Sequence, residues 1–163
     1  MSEPPPWADV ASRAPLEPKQ PGLVVDLARC IGCHACSVAC KTEHGIPLGE
    51  FPLRVRWLPR PDRPTFAFVP VFDAELCDMG ANRANFGMEP ACVTACPTKT
   101  ITWGDRADSA GALSKLSGAG PLEAPEAKLH PDVTYLGAES WFKDELHQGP
   151  RLDPRDRDPI YEQ

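Results

Sequence analysis

Cys30-Ile-Gly-Cys33-His-Ala-Cys36-Ser-Val-Ala-Cys40 sets four thiols at separations of two, two and three intervening residues. Three of them, at every third position, let one tight loop wrap three corners of a cubane, while the helix that follows carries Cys40 away. In the bacterial run of this spacing the fourth cysteine ligates the other cluster of a pair. The stretch therefore predicts an iron-sulfur electron-transfer protein with two sites. A second group supplies the rest: Cys77, Cys92 and Cys96-Pro97. Each half needs a distant ligand from the other, so Cys96 is expected to complete the set Cys30, Cys33 and Cys36, and Cys40 to join Cys77 and Cys92.

This uses all seven cysteines and leaves none as a nucleophile. A cysteine enzyme needs an activated thiol beside a base; His34 and His44 lie near in sequence, but read more simply as exposed or hydrogen-bonded side chains. Structural zinc is the other metal to weigh. Zinc modules present separated cysteine or histidine pairs, and four close thiols with three distant ones do not divide that way.

Outward from the first group, Leu23 to Leu27 is a short β-type run, and Ser37 to His44 before Gly45 predicts a short helix with a glycine stop. The pattern then recurs. After a connector holding Pro59, Pro61 and Pro64 come the β-type run Phe66 to Phe72, Cys77, a short helix through Arg83, and Cys92 to Pro97. Thr100 to Trp103 reads as a closing strand. Ser109 to Leu116 and Ala138 to His147 are candidate short helices joined by proline-rich loops. The first 22 residues carry six prolines and no periodic apolar face, which predicts an extended arm.

Composition bounds the rest. With 20 prolines in 163 residues, against a usual ~5 %, the compact part must be smaller than the whole chain. The opening MSEPPPWADV lacks an apolar signal core, so reduced cysteines and a cytoplasmic setting are the default expectation, with membrane association through partners or co-export with a signal-bearing partner left open. No apolar run approaches the ~18 residues that span a bilayer. A net charge of -6, with no basic stripe broader than Arg54, Arg56, Arg60 and Arg63, gives no electrostatic footprint for nucleic acid.

Residues 25 to 105 resemble the iron-sulfur subunits of molybdopterin oxidoreductases of the dimethyl-sulfoxide reductase superfamily. Cys30-Ile-Gly-Cys-His-Ala-Cys-Ser-Val-Ala-Cys-Lys41, Ile46-Pro-Leu-Gly49 and Glu89-Pro-Ala-Cys-Val-Thr-Ala-Cys-Pro-Thr98 carry the resemblance. It extends more weakly over Ile101 to Gly104, Asp108 to Leu116 and Val133-Thr-Tyr-Leu-Gly137. It implies an α+β fold: a bacterial two-cluster ferredoxin-like core over 23–104, an extended arm over 1–22, and an irregular partner-binding tail over 105–163. A second cysteine-rich insert, which enlarges many such subunits to four clusters, is absent. The implied role is non-catalytic, relaying electrons between a molybdenum or tungsten pterin catalytic subunit and another carrier or a membrane subunit. A free-standing two-cluster ferredoxin is the alternative; the two arms, with Trp7, Tyr135, Trp141, Phe142 and Tyr161 as candidate partner anchors, favour the subunit.

Two departures stand out. The family places a cysteine three residues after Cys77, where this chain has Gly80, while Arg83, Gly87 and Pro90 keep the remaining spacing. The first site is then expected to hold a 4Fe-4S cluster. The second is expected to hold a 3Fe-4S cluster, or a 4Fe-4S cluster capped by water, Asp78, Asn82 or a partner residue, or no cluster. Lys99 replaces the usual glycine after Cys-Pro-Thr; it either sets a positive charge near the first cluster or is a solvated lysine.

Overall fold

The computed structural model describes residues 13–122 and 129–148. Two small sheets form. In the first, β1 (Pro21–Asp26) is central, paired antiparallel with β4 (Ile101–Asp105) and parallel with β5 (Val133–Leu136). The second is a hairpin of β2 (Leu53–Pro59) and β3 (Phe66–Phe72). Short helices fill the connections: α1 (Ala35–Glu43), α2 (Ala81–Ala84), α3 (Ala91–Ala95) and α4 (Phe142–Gln148). The result is mixed α and β, consistent with a ferredoxin-like fold.

Alternation along the strands makes the core. Leu23 and Val25 of β1, Ile101 and Trp103 of β4, and Val133 and Tyr135 of β5 are buried on one side, meeting Leu53, Val55, Val69 and Phe72 of the hairpin. Pro70 sits within β3, which is permissible because a two-stranded sheet has only edges. Its carbonyl accepts the Tyr135 hydroxyl at 2.9 Å, tying the two sheets together.

β2 has no counterpart among the expected elements, although Leu53-Arg-Val-Arg-Trp57 alternates apolar and charged residues as a half-buried strand does. Pro59 ends β2 opposite Phe66, and the prolines at 61 and 64 belong to the hairpin loop, where Arg60 N donates to Thr65 O at 2.9 Å. The expected helix over Ser109 to Leu116 is only a 3-10 turn, Leu113–Lys115. Gly111 and Gly118 flank that turn, and glycine disfavours helix.

The residues expected to form arms contribute to this domain. Beyond 104, β5 completes the three-stranded sheet, and Phe142 and Leu146 of α4 enter the common core. Tyr135 and Phe142 are 3% and 2% exposed, so they are core residues rather than free partner anchors. Trp141 is half-buried and packs edge-on against Phe142 at 4.5 Å; Trp7 and Tyr161 lie outside the described residues. Of the N-terminal arm, Leu16 N donates to Ala84 O at 2.8 Å, and the Lys19 and Gln20 amides donate to Asp105 at 2.7 and 3.0 Å.

This makes the tail testable. Phe142→Ala is expected to destabilise the whole domain by about 3–5 kcal/mol, and Tyr135→Phe, which strips the buried Pro70 carbonyl of its partner, by about 1–2 kcal/mol. A single unfolding transition shifted to lower temperature in both variants is the expected result. An unshifted main transition in Phe142→Ala would show that the tail does not share the core.

Candidate metal centre

Cys30 leaves a 3-10 turn (Leu27–Arg29) capped by Asp26, whose carboxylate accepts the Ala28 amide at 3.1 Å. The polypeptide then curls through two left-handed residues, Gly32 at φ 69° and His34 at φ 60°. Gly32 is required there. The Phe68 ring lies so close that a Cβ would sit 2.4 Å from its Cδ1. α1 follows, with Cys36 and Cys40 both buried and one turn apart on the same face.

α3 packs against α1 and repeats the device, carrying buried Cys92 with Cys96 at its C-terminal end, again four residues on. Two packed helices with cysteines at this separation give one thiol each to two neighbouring places. One cavity is lined by Cys30, Cys33, Cys36 and Cys96, with Thr98 and Thr100. A second is lined by Cys40, Cys77 and Cys92, with Gly80, Met79, Asp78, His44 and Arg83. The thiols gather there as four and three. Among the described residues, no three His, Cys, Asp or Glu side chains converge on a point as a single metal ion requires; a cluster several atoms across takes a wider ring.

The second loop is held from below. Buried Trp103 donates its indole N–H to Met79 O at 2.8 Å, fixing Met79 at φ 55° between Cys77 and Gly80. Asp78 accepts the Gly80 and Asn82 amides at 2.8 and 3.0 Å, so its oxygens face the backbone. Of the possible caps named for a fourth iron, Asp78 lines the second cavity and Asn82 does not. His44, a better-placed neighbour than the sequence suggested, also lines it, 3.6 Å from Asp78. Its signal was present: His44 follows Cys40 by one helical turn.

Of the other singled-out residues, His34 lines the first cavity; it is exposed and accepts the Trp57 indole N–H at 3.0 Å. Lys99 is exposed, at φ 52°.

The thiols are unlike one another electrostatically. Burial pushes Cys36 up to about 11, helped by Cys30 and Cys96 nearby. Burial, and then the neighbouring Cys77 and Asp78, push Cys40 up to about 12. Cys92 is raised by burial and by Cys40 and Cys77; Cys30 and Cys77 are raised chiefly by burial. Cys96 goes the other way. Burial raises it, but hydrogen bonds from the Thr100 amide (3.3 Å) and the Thr98 hydroxyl outweigh that and bring it below the ordinary thiol value.

A set made only of thiols, with Cys36, Cys40, Cys92 and Cys96 buried and amide and hydroxyl donors around Cys96, suits an anionic metal-sulfur group. Metal binding must strip the thiol protons. Lowering the pH from about 8 to about 6 is therefore expected to hasten iron loss to a chelator, seen as decaying visible absorbance; a pH-independent loss would contradict it. For the metal-free fold the sign reverses. Thiols raised above the ordinary 9.0 hold more protons folded than unfolded, so stability is full below about 9 and falls as pH rises through about 11 to about 12.

No protein-family model matches the chain. It is 24% identical over 172 aligned residues to a component of the polysulfide reductase of Wolinella succinogenes, covering 68% of this chain and 90% of that protein. Against an iron-sulfur subunit of the dimethyl sulfoxide reductase kind from Halobacterium salinarum it is 56% identical over 34 residues, 21% of this chain and 13% of the other. With a component of the tetrathionate reductase of Archaeoglobus fulgidus it shares 36% identity over 74 residues, 45% of this chain and 30% of that protein. The chain thus spans most of the first relative and under a third of the other two. The first alignment is far longer than the portion of this chain it covers, so parts of that relative have no counterpart here.

Proposed function

We infer, for a chain that belongs among the iron-sulfur subunits of molybdopterin oxidoreductases, an electron relay between a molybdenum or tungsten pterin catalytic subunit and a second carrier. The relay itself is not catalytic. Its first site takes a 4Fe-4S cluster on Cys30, Cys33, Cys36 and Cys96, and its second a 3Fe-4S cluster on Cys40, Cys77 and Cys92. When bound, the clusters supply one-electron chemistry at metal-sulfide centres.

The observation that carries the reading is the division of seven thiols between two adjoining cavities. The residues of this chain do the rest. Cys36 and Cys40, a single helical turn apart, hold the two sites next to each other. Leu23 and Phe72 wall the second cavity, and Val55 and Ile101 the first, giving each an apolar side. Cys33 is exposed, which brings the first site to the surface where an electron can enter or leave. Among the described residues no helix is long and apolar enough to cross a membrane.

The test is co-expression with the catalytic subunit and purification through a tag on this chain. Iron at about seven per chain, together with stoichiometric molybdenum or tungsten and pterin, is the expected result. A fully iron-loaded monomer that never carries either metal would make the protein a free ferredoxin.

A further inference from the structure

Arg83 reaches the second cavity from α2, and its guanidinium is only partly engaged. One terminal nitrogen, Nη1, donates to Glu43 Oε2 at 3.2 Å, joining α2 to the end of α1. Nη2 lies 3.7 Å from Met88 Sδ. Nε is buried and meets no acceptor. A buried, unpaired N–H on a charged group is costly, and native proteins leave few such groups without a reason. The cavity that Arg83 lines is the one formed by Cys40, Cys77 and Cys92.

We propose that Arg83 is a hydrogen-bond donor and counter-charge to the cluster bound by Cys40, Cys77 and Cys92, held in place by Glu43. This rests on the cluster reading of that cavity. Cluster potentials follow net charge and hydrogen bonds to the sulfurs. A fixed cation with a free N–H stabilises the reduced form, which carries one more negative charge, more than the oxidised form. It therefore raises the potential of the site beside it. The first cavity has threonine hydroxyls and a backbone amide near its thiols but neither Arg nor Lys in its lining. The two sites thus differ in the fixed charges beside them, and Arg83 is the cation among those lining the second. Arginine suits the role because its charge is permanent and its N–H groups form a rigid fork.

The experiment is a redox titration of the complex of this chain with its catalytic subunit, with the two clusters followed by electron paramagnetic resonance and iron counted in each sample. Arg83→Met is expected to move the second cluster to a lower midpoint potential and to leave the first where it was. Arg83→Lys, which keeps the charge and loses the fixed fork, is expected to move it less in the same direction. An unmoved second cluster in an iron-loaded Arg83→Met protein, or an equal shift of both clusters, overturns the proposal. If Arg83→Met fails to load its second site, Arg83→Lys decides, and an unmoved second cluster there overturns the donor role. Protein without iron before any substitution sinks the cluster reading itself, whereas iron-loaded variants with unmoved potentials sink only the role given to Arg83.

Discussion

Cys40→Ser is expected to empty the second site and spare the first, leaving about four irons per chain instead of about seven, with the four-iron spectrum of the first site unchanged. The mirror experiment, Cys96→Ser, is expected to destroy the first cluster and spare the second. These outcomes run against sequence order, since Cys40 belongs to the first cysteine run and Cys96 to the last. They follow from two helices. On α1, Cys36 and Cys40 share a face one turn apart, and α3 lies against that face with Cys92 and Cys96 similarly spaced. The charge neighbours agree: Cys40 is raised by Cys77 after burial, whereas the first charges felt by Cys36 are those of Cys30 and Cys96. Iron counting and spectroscopy of the purified complex check both variants. Loss of the first cluster in Cys40→Ser, with the second intact, would break the crossed assignment. Small metal-bound domains often fold only with their metal, so the complex, rather than the isolated chain, is the sample to measure.

The gathering of Cys30, Cys33 and Cys36 at one cavity was legible because it is a local property: thiols at fixed short separations on one loop are brought together by that loop, and the sequence displays the separations. β1 and β4 were legible for a similar reason, as apolar runs flanking the two cysteine groups. What stayed hidden depends on contacts distant in sequence. β2 reads as a strand only if Arg54 and Arg56 are taken as its outward face, and the prolines after it conceal a hairpin loop as a linker. β5 is too short to stand alone and exists because β1 offers it a parallel edge, with Leu23 beside Val133. Tyr135 could be read as a partner anchor only while the Pro70 carbonyl it meets, 65 residues away, was unknown. The same holds for Arg83. Its place in the family spacing is visible in the sequence, but the unmatched Nε that gives it a task is visible only in the packed structure.

Gly80 carries the other large expected effect. The oxidised complex is expected to show a three-iron resonance from the second site, because the corner that a fourth thiol would hold has no side chain. The structure adds that Gly80 is glycine for a second reason. Its φ is 81°, and a Cβ built on it would lie 2.3 Å from Pro90 Cγ, where Pro90 opens α3 ahead of Cys92. Gly80→Ala is therefore expected to lower stability by roughly 2–4 kcal/mol, from left-handed backbone strain and overpacking together, without adding iron. Gly80→Cys bears the same strain and brings a thiolate. Structural zinc sites gain about 10–16 kcal/mol from a full ligand set, or about 2.5–4 kcal/mol for each of four ligands, and a thiolate-iron bond of that order is comparable to the strain. The cysteine variant should thus be more stable than the alanine variant and recover a fourth iron, yet load less completely than an unstrained site. Thermal unfolding and iron counts on the two variants separate the effects. Eight irons per unsubstituted chain with no three-iron signal would leave a capped cubane in place of the open corner, with His44 the better placed of the cavity-lining side chains to supply the cap, since the Asp78 oxygens already accept backbone amides.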